Sequence, residues 1–247
     1  MRNLVACACF ALIANPATAM AEPLSPTGKW VVDFGDNRCI AQRIYGDAAD
    51  PAYLLLKAPA IGDGLQLSVA VNGPNGFGVQ EKAKLYFGGT DHIALSQLRY
   101  GVDKRQVRMV NLTRTEIDRL SNATQLRWET ANLDYSLPLG SMKDLIKVME
   151  ECRKGLAEYW NGTPDKVAGL KQEPRAARPV IKLFRSEDYP SQALLGGQSG
   201  TTRMVTLVDE EGEMVDCTIV ETSNVAALDA QTCLVVRERG KFSPAIG

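Results

Sequence analysis

Residues 202–221 read TRMVTLVDEEGEMVDCTIVE and decide the fold of the C-terminal part of the chain. Apolar and polar residues alternate on both sides of the run Asp209-Glu210-Glu211-Gly212, a pattern typical of two half-buried strands joined by a turn. The acidic run misses the EF-hand spacing, so a turn explains it better than a calcium loop. We expect Val205 and Leu207 to face three residues of the second strand: Val215, Cys217 and Ile219.

Helical signals flank this hairpin on both sides. Tyr189-Pro190 begins a short helical segment that ends at Gly196-Gly197, with Pro at a favoured first position. After the hairpin, apolar residues recur at helical spacing, which predicts a helix; they are Val225, Leu228, Thr232 and Val236. Phe242-Ser243-Pro244-Ala245 then predicts the start of another strand.

The first part of the chain reads as strands followed by one helix. Short alternating runs predict half-buried antiparallel strands; they are 30–34, 53–57, 65–71, 79–87, 93–100, 106–112 and 125–129. Residues 115–120 predict a helical turn. Ser141 caps a longer helix with an apolar stripe: Met142, Leu145, Met149, Cys152, Leu156 and Tyr159. The fold class is therefore α+β, with a β-rich N-terminal domain closed by one amphipathic helix.

The first 21 residues are typical of a signal peptide. Arg2 is followed by the apolar run 4–14, and Ala19-Met20-Ala21 fits a cleavage site. We expect a mature chain that begins at Glu22, lies in the periplasm and has no transmembrane anchor, because the run is about half of what spans a bilayer.

Four cysteines remain after cleavage, an even number in a compartment that permits disulfides. Three pairings are open for Cys39, Cys152, Cys217 and Cys233. We favour Cys39 with Cys152 and Cys217 with Cys233, because a composition change separates the two pairs. Residues 161–179 hold three Pro and two Gly and predict a linker between a domain at 28–160 and a second at 180–247.

Composition excludes several classes of function. The net charge of −1 argues against nucleic-acid binding, which needs clustered Lys and Arg. A single His and the absence of a cysteine motif at metal spacing give no catalytic residues, no metal ligands and no cofactor. His92 reads as a turn residue rather than a base. We therefore expect a protein that is not an enzyme.

The order of residues in 180–247 resembles the C-terminal domain of the TonB and TolA family of periplasmic energy transducers. Matching positions follow the family's sequence of elements; they are Tyr189-Pro190, Ala193, Gly197, Gly200, Met204 to Ile219, Ser223, Leu228-Asp229, Arg239 and Phe242 to Ala245. It is also similar to a disulfide-bearing variant of that domain in exported alphaproteobacterial proteins, in which Cys217 and Cys233 correspond to the bridge. The resemblance covers about 65 residues, a quarter of the chain.

The resemblance implies a non-catalytic module that binds an extended segment of an envelope protein, the N-terminal box of a TonB-dependent outer-membrane transporter in the family. It places Tyr189, Pro190 and Gln192 near the bound peptide. The sequence stops at Gly247, where the family adds a last strand, so we expect a free sheet edge that binds peptide without energising transport. The alternatives are a periplasmic enzyme or a structural envelope protein, each with its role in the N-terminal domain.

Overall fold

The computed structural model describes residues 23–247. A curled antiparallel sheet of nine strands with one long helix comes first, and a smaller region of short helices around a β-hairpin follows. This arrangement confirms the α+β fold class. The signal peptide predicted at residues 1–21 lies outside the described residues.

Nine strands form the first sheet: β1 (Val31–Phe34), β2 (Arg38–Tyr45), β3 (Ala52–Pro59), β4 (Leu65–Asn72), β5 (Gly76–Tyr86), β6 (His92–Val102), β7 (Arg105–Leu112), β8 (Gln125–Thr130) and β9 (Leu133–Pro138). They lie in the order β1-β2-β3-β4-β7-β6-β5-β8-β9, each antiparallel to its neighbours. A short helix, α1 (Arg114–Ser121), connects β7 to β8. Seven of these strands were predicted from the sequence, and β2 and β9 were not.

The sheet curls until β9 lies beside β2. The segment that precedes β1 bridges the two ends. The main-chain N–H of Leu24 donates to the carbonyl of Ser136 in β9 at 2.8 Å, and Pro26 pairs with Tyr45 in β2. The Tyr45 hydroxyl donates to the carbonyl of Pro138 at 2.9 Å. Burial raises the pKa of Tyr45 to about 12, so this hydroxyl stays protonated and keeps donating. The curl therefore encloses the apolar face of the sheet.

The long helix α2 (Met142–Tyr159) begins after Ser141 and packs five residues of its apolar stripe into the core: Met142, Leu145, Met149, Cys152 and Leu156. A disulfide joins Cys152 to Cys39 of β2, with their Cα atoms 6.1 Å apart. Tyr159 was expected in the same stripe, but it is 72% exposed; it is the last residue of α2, and its ring contacts Trp160 instead of the core.

The smaller region contains three α-helices and four strands, besides two short 3-10 turns at Val180–Leu183 and Ser186–Asp188: α3 (Pro164–Ala168), β10 (Arg175–Ala176), α4 (Ser191–Leu195), β11 (Arg203–Val208), β12 (Met214–Glu221), α5 (Ala226–Arg239) and β13 (Phe242–Ser243). Strands β11 and β12 form the expected hairpin, and a disulfide joins Cys217 of β12 to Cys233 of α5. Both disulfides are the pairs that the sequence analysis favoured.

Strand β13 pairs with β10 rather than with the hairpin. The pairing continues to the end of the chain, since the N–H of Ile246 donates to the carbonyl of Gln172 at 2.9 Å. Part of the stretch at 161–179 is therefore folded against the C-terminal residues. The division into two domains at that stretch stays a prediction.

The two faces of the hairpin differ from the expected arrangement. Leu207 lies opposite Asp216, and Thr206 lies opposite Cys217, so Val205 and Leu207 do not share a face with Cys217. A register shift between Leu207 and Val208 beside the turn is the reason, because one displaced residue moves every side chain to the other face. Leu207 packs on the core of the first sheet, whereas Cys217 faces α5.

Candidate functional site

Strand β11 has one free edge. It pairs with β12 on one side, and no main-chain hydrogen bond from elsewhere in residues 23–247 reaches residues 203–208 on the other. Alternate N–H and C=O groups of an antiparallel strand point to each side, so this edge offers donors and acceptors to an added strand. At one end of the edge, Arg203 forms an exposed ion pair with Glu221 at 2.9 Å.

An ion pair joins the hairpin to the first sheet. Lys57 of β3 lies 3.0 Å from Oδ1 of Asp216, whose side chain is only 3% exposed, and Arg38 lies 3.8 Å from the same oxygen. Burial lowers the pKa of Lys57 below its ordinary value, and the charge of Asp216 offsets part of that shift. This contact was not predicted from the sequence, although an acidic residue in the middle of an apolar strand indicates that the carboxylate needs a partner.

The loop between β3 and β4 approaches the hairpin closely. Gly64 lies so near that a Cβ atom there would be 2.6 Å from the carbonyl oxygen of Ile219. Gly62 has a φ of +93°, and a Cβ at that position would be 3.1 Å from a methyl group of Val220. Glycine at both positions therefore lets the first sheet meet β12 at main-chain distance.

A second contact joins the first sheet to the two helices that flank the hairpin. The main-chain N–H of Gln80 on β5 donates to Oε1 of Gln192 at 3.1 Å, and its side chain donates to Oε1 of Gln198 at 3.0 Å. The side-chain oxygen of Gln80 accepts from the N–H of Ala227 at 3.2 Å. One polar residue of the first sheet thus holds both α4 and the start of α5.

The three residues expected near a bound peptide occupy the start of α4. Tyr189 is 38% exposed, and its hydroxyl donates to the carbonyl of Gln198 at 2.6 Å. Pro190 is the N-cap of α4, while Gln192 is engaged with Gln80. A peptide-binding role for Tyr189, Pro190 and Gln192 stays a prediction.

Asp229 ties the hairpin to α5. Its Oδ1 accepts hydrogen bonds from the Thr202 hydroxyl at 2.8 Å and from the main-chain N–H of Ser223 at 2.9 Å. Its Oδ2 accepts a further bond from Thr222. Because Asp229 is 2% exposed and its oxygens are saturated, it fixes the first turn of the helix against the ends of both strands.

A second carboxylate, that of Asp188, holds the last turn of α5. Arg239 donates to both of its oxygens, and the main-chain N–H of Arg185 donates to Oδ2 at 2.7 Å. These bonds, that of Arg239 foremost, hold the pKa of Asp188 below its ordinary value. Asp188 and Arg239 therefore fix α5 against the segment that leads into α4.

Several other charged residues are engaged in structural contacts. Glu129 accepts from Lys84 and Tyr86, and Arg127 forms a two-bond contact with Asp134. His92 packs against the Tyr86 ring, with centroids 5.1 Å apart. Within residues 23–247, no group of three His, Cys, Asp or Glu is arranged to hold a metal ion, and no helix is both long and apolar enough to cross a membrane.

Comparison with known proteins agrees with this geometry. Residues 185–247 match the family described as Gram-negative bacterial TonB protein C-terminal. No curated protein and no solved structure matched the chain. The matched residues include α4, the hairpin, α5 and β13, and they include Asp188, Asp229 and Arg239, which hold these elements together. A TonB C-terminal domain and two disulfides fit an envelope protein. Residues 185–247 of this chain therefore form a TonB C-terminal domain, a TonB-like interaction module.

Proposed function

We propose that this protein is a non-catalytic periplasmic protein that binds an extended segment of an outer-membrane transporter. The observation that carries the proposal is the free edge of β11, because an edge with unpaired main-chain groups can take an added strand from another chain. Transporter-type partners follow from the TonB C-terminal domain that contains this edge.

The hairpin suits this role because its other surfaces are already covered. One face packs on the first sheet through Leu207 and Asp216, and the other is linked to α5 through Cys217. A peptide that pairs with residues 203–208 would therefore meet a rigid template whose own ordering cost is small. The peptide itself loses freedom on binding, so we expect a dissociation constant on the order of micromolar.

A non-catalytic role rests on what the charged side chains do. Asp188, Asp216 and Asp229 are buried, and each carboxylate accepts hydrogen bonds that link two elements of the fold. We propose that they position the module and take part in no reaction. We also propose export to the periplasm with cleavage after Ala21, which suits the oxidised cysteines.

Backbone-modified peptides can test strand addition without altering the protein. Synthetic N-terminal segments of outer-membrane transporters are titrated into the full protein, first unmodified and then with N-methyl groups on every second residue in each of the two registers. N-methylation removes a donor and blocks pairing only where the N–H points at β11. We expect one register to bind at least about tenfold more weakly than the other.

Amide chemical shifts measured by NMR locate the contact. Residues 203–208 should shift on binding, with little change in the exposed strand β1 at the edge of the first sheet. Equal binding by both methylated registers, or no binding of any transporter segment by the folded protein, would contradict strand addition at β11.

A further inference from the structure

A cavity of about 400 Å³ lies between the outer face of the first sheet and the TonB C-terminal domain. Its floor includes Leu98 and Met109 of β6 and β7, and its roof includes Ile219 of β12 and Leu234 of α5. The volume falls in the range of about 300–1,000 Å³ that is usual for small-molecule sites. At about 30 Å³ for each liquid water molecule, it suits a ligand of roughly a dozen heavy atoms.

The walls of the cavity are largely apolar, but two cationic side chains contribute to them. Lys57 and Arg237 both line the space. Arg237 forms no ion pair with any carboxylate in residues 23–247; burial is the main cause that lowers the pKa of Lys57, and the charge of Arg237 lowers it further.

The charge around this end of the cavity is positive. Lys57, Arg237 and the neighbouring Arg38 carry three positive charges, against which Asp216 supplies one negative charge. Asp229 also lines the cavity, but its two oxygens are occupied by Thr202, Thr222 and Ser223. Even with Asp229 counted, one positive charge remains uncompensated, which favours an anionic group.

A neutral donor accompanies these cations. Tyr100 lines the cavity, and its hydroxyl makes no hydrogen bond to any described residue. Burial raises the pKa of Tyr100, so the hydroxyl stays protonated and can donate to an anion. Gln66 and Asn111, which also line the space, are engaged with each other at 3.4 Å.

We propose that this cavity binds a small amphipathic monocarboxylate, with the carboxylate at Lys57 and Arg237 and the apolar chain between Leu98, Met109 and Leu234. The site is separate from the free edge of β11, since β12 and α5 supply the C-terminal part of its lining. A bound ligand would contact both the first sheet and the TonB C-terminal domain, and would stabilise their packing.

Isothermal titration of the purified, oxidised protein with sodium decanoate tests this site, and decyltrimethylammonium provides a cation with the same chain. We expect decanoate to bind at least about tenfold more tightly than the cation. Arg237→Gln should weaken decanoate binding about fivefold, and it should not weaken binding of the cation, because the substitution removes a repelling positive charge. Arg178→Gln is the matched control, because Arg178 is exposed and lies outside the cavity lining; it should change neither.

Filling the cavity tests its position. Ala230→Phe places a ring in the space from α5, and Met109→Trp does so from the sheet, so that one of them remains informative if the other fails to fold. Each folded variant, checked by circular dichroism, should bind decanoate at least about tenfold more weakly. The proposal is overturned by no binding of decanoate up to about 1 mM, by equal binding of the two probes, or by filled variants that bind like the unmodified protein.

Discussion

The Nζ atom of Lys57 lies 3.0 Å from Oδ1 of Asp216, so an ion pair joins strand β3 of the first sheet to strand β12 of the TonB C-terminal domain. The second oxygen of Asp216 is buried without a hydrogen-bond partner among the described residues. Asp216 therefore depends on Lys57 for compensation of its charge. The other cation in residues 23–247 that lies within 4 Å of this carboxylate is Arg38, at 3.8 Å.

Replacing Lys57 alone should destabilise the protein. Lys57→Met leaves the charge of Asp216 buried with only Arg38 nearby, and we expect the free energy of unfolding to fall by about 2–4 kcal/mol in urea. The double variant Lys57→Met with Asp216→Leu should regain at least half of that loss. Lys84→Met removes a more exposed ion pair, with Glu129 on the neighbouring strand, and should lower the free energy of unfolding by less than Lys57→Met does. A double variant no more stable than Lys57→Met would contradict this account.

The two disulfides should contribute unequally to stability. Cys39 and Cys152 are 113 residues apart and Cys217 and Cys233 are 16 apart, so the first restricts the unfolded chain more. Replacing both cysteines of a pair by Ala should lower the free energy of unfolding by about 4–5 kcal/mol for the first pair and about 3 kcal/mol for the second. Peptide mapping without reduction checks the pairing, and any bridge between the two pairs would refute it.

The buried amide of Gln97 should matter more than the buried guanidinium of Arg108. Gln97 accepts from the Trp128 indole N–H at 2.8 Å and donates to Glu81 at 2.9 Å. Gln97→Met leaves the buried Trp128 N–H unpaired and removes one hydrogen bond from Glu81, which keeps its contact with Arg99, and we expect a loss of about 1–3 kcal/mol. Two nitrogens of Arg108 make no hydrogen bond to a described residue, and its ion pair with Glu81 is long at 4.0 Å, so Arg108→Met should stay within about 1 kcal/mol of the unmodified protein. The reverse ranking in urea unfolding would contradict this reading.

Stability below neutral pH should depend on Asp188. Its pKa is held below the ordinary value, so its contribution is complete above the unfolded pKa of about 3.9 and is lost as the pH falls through the folded pKa. Asp188→Asn should therefore lose less stability than the unmodified protein between about pH 5 and pH 3. Urea unfolding at each pH measures this, with exposed Asp91→Asn as the control; identical pH profiles for Asp188→Asn and the unmodified protein would count against the pair.

Much of the sheet could be predicted from sequence, because its inward positions alternate cleanly. Residues 65–71 predict β4 almost to the residue, since the inward positions are Leu or Val throughout. Strand β2 was not predicted, because Arg43 lies between the inward-facing residues Ala41 and Tyr45 and its charge interrupts the alternation of apolar and polar residues. The structure accommodates Arg43 through hydrogen bonds to the carbonyls of Gly28 and Leu139, which lie far apart in the chain.

The site was predictable in its elements but not in its contacts. The hairpin and α5 follow from local periodicity, whereas their docking on the first sheet depends on Gly64, Lys57 and Gln80, which are distant in sequence. The side of the hairpin that faces the helix was assigned wrongly because the shift beside Val208 leaves no mark in the alternation. No local pattern indicates a cavity whose two walls come from different parts of the chain.

The cavity also makes the two disulfides differ in their accessibility to reductants. Cys39 and Cys152 are 0% and 2% exposed, so a small thiol can attack that bond only after the first sheet opens. Cys217 and Cys233 both line the cavity, where a reductant of suitable size can arrive through the space itself. The Cys39–Cys152 disulfide is thus protected by the fold, whereas the Cys217–Cys233 disulfide is accessible from the cavity. The rate at which dithiothreitol reduces Cys217–Cys233 therefore reports whether the cavity is occupied.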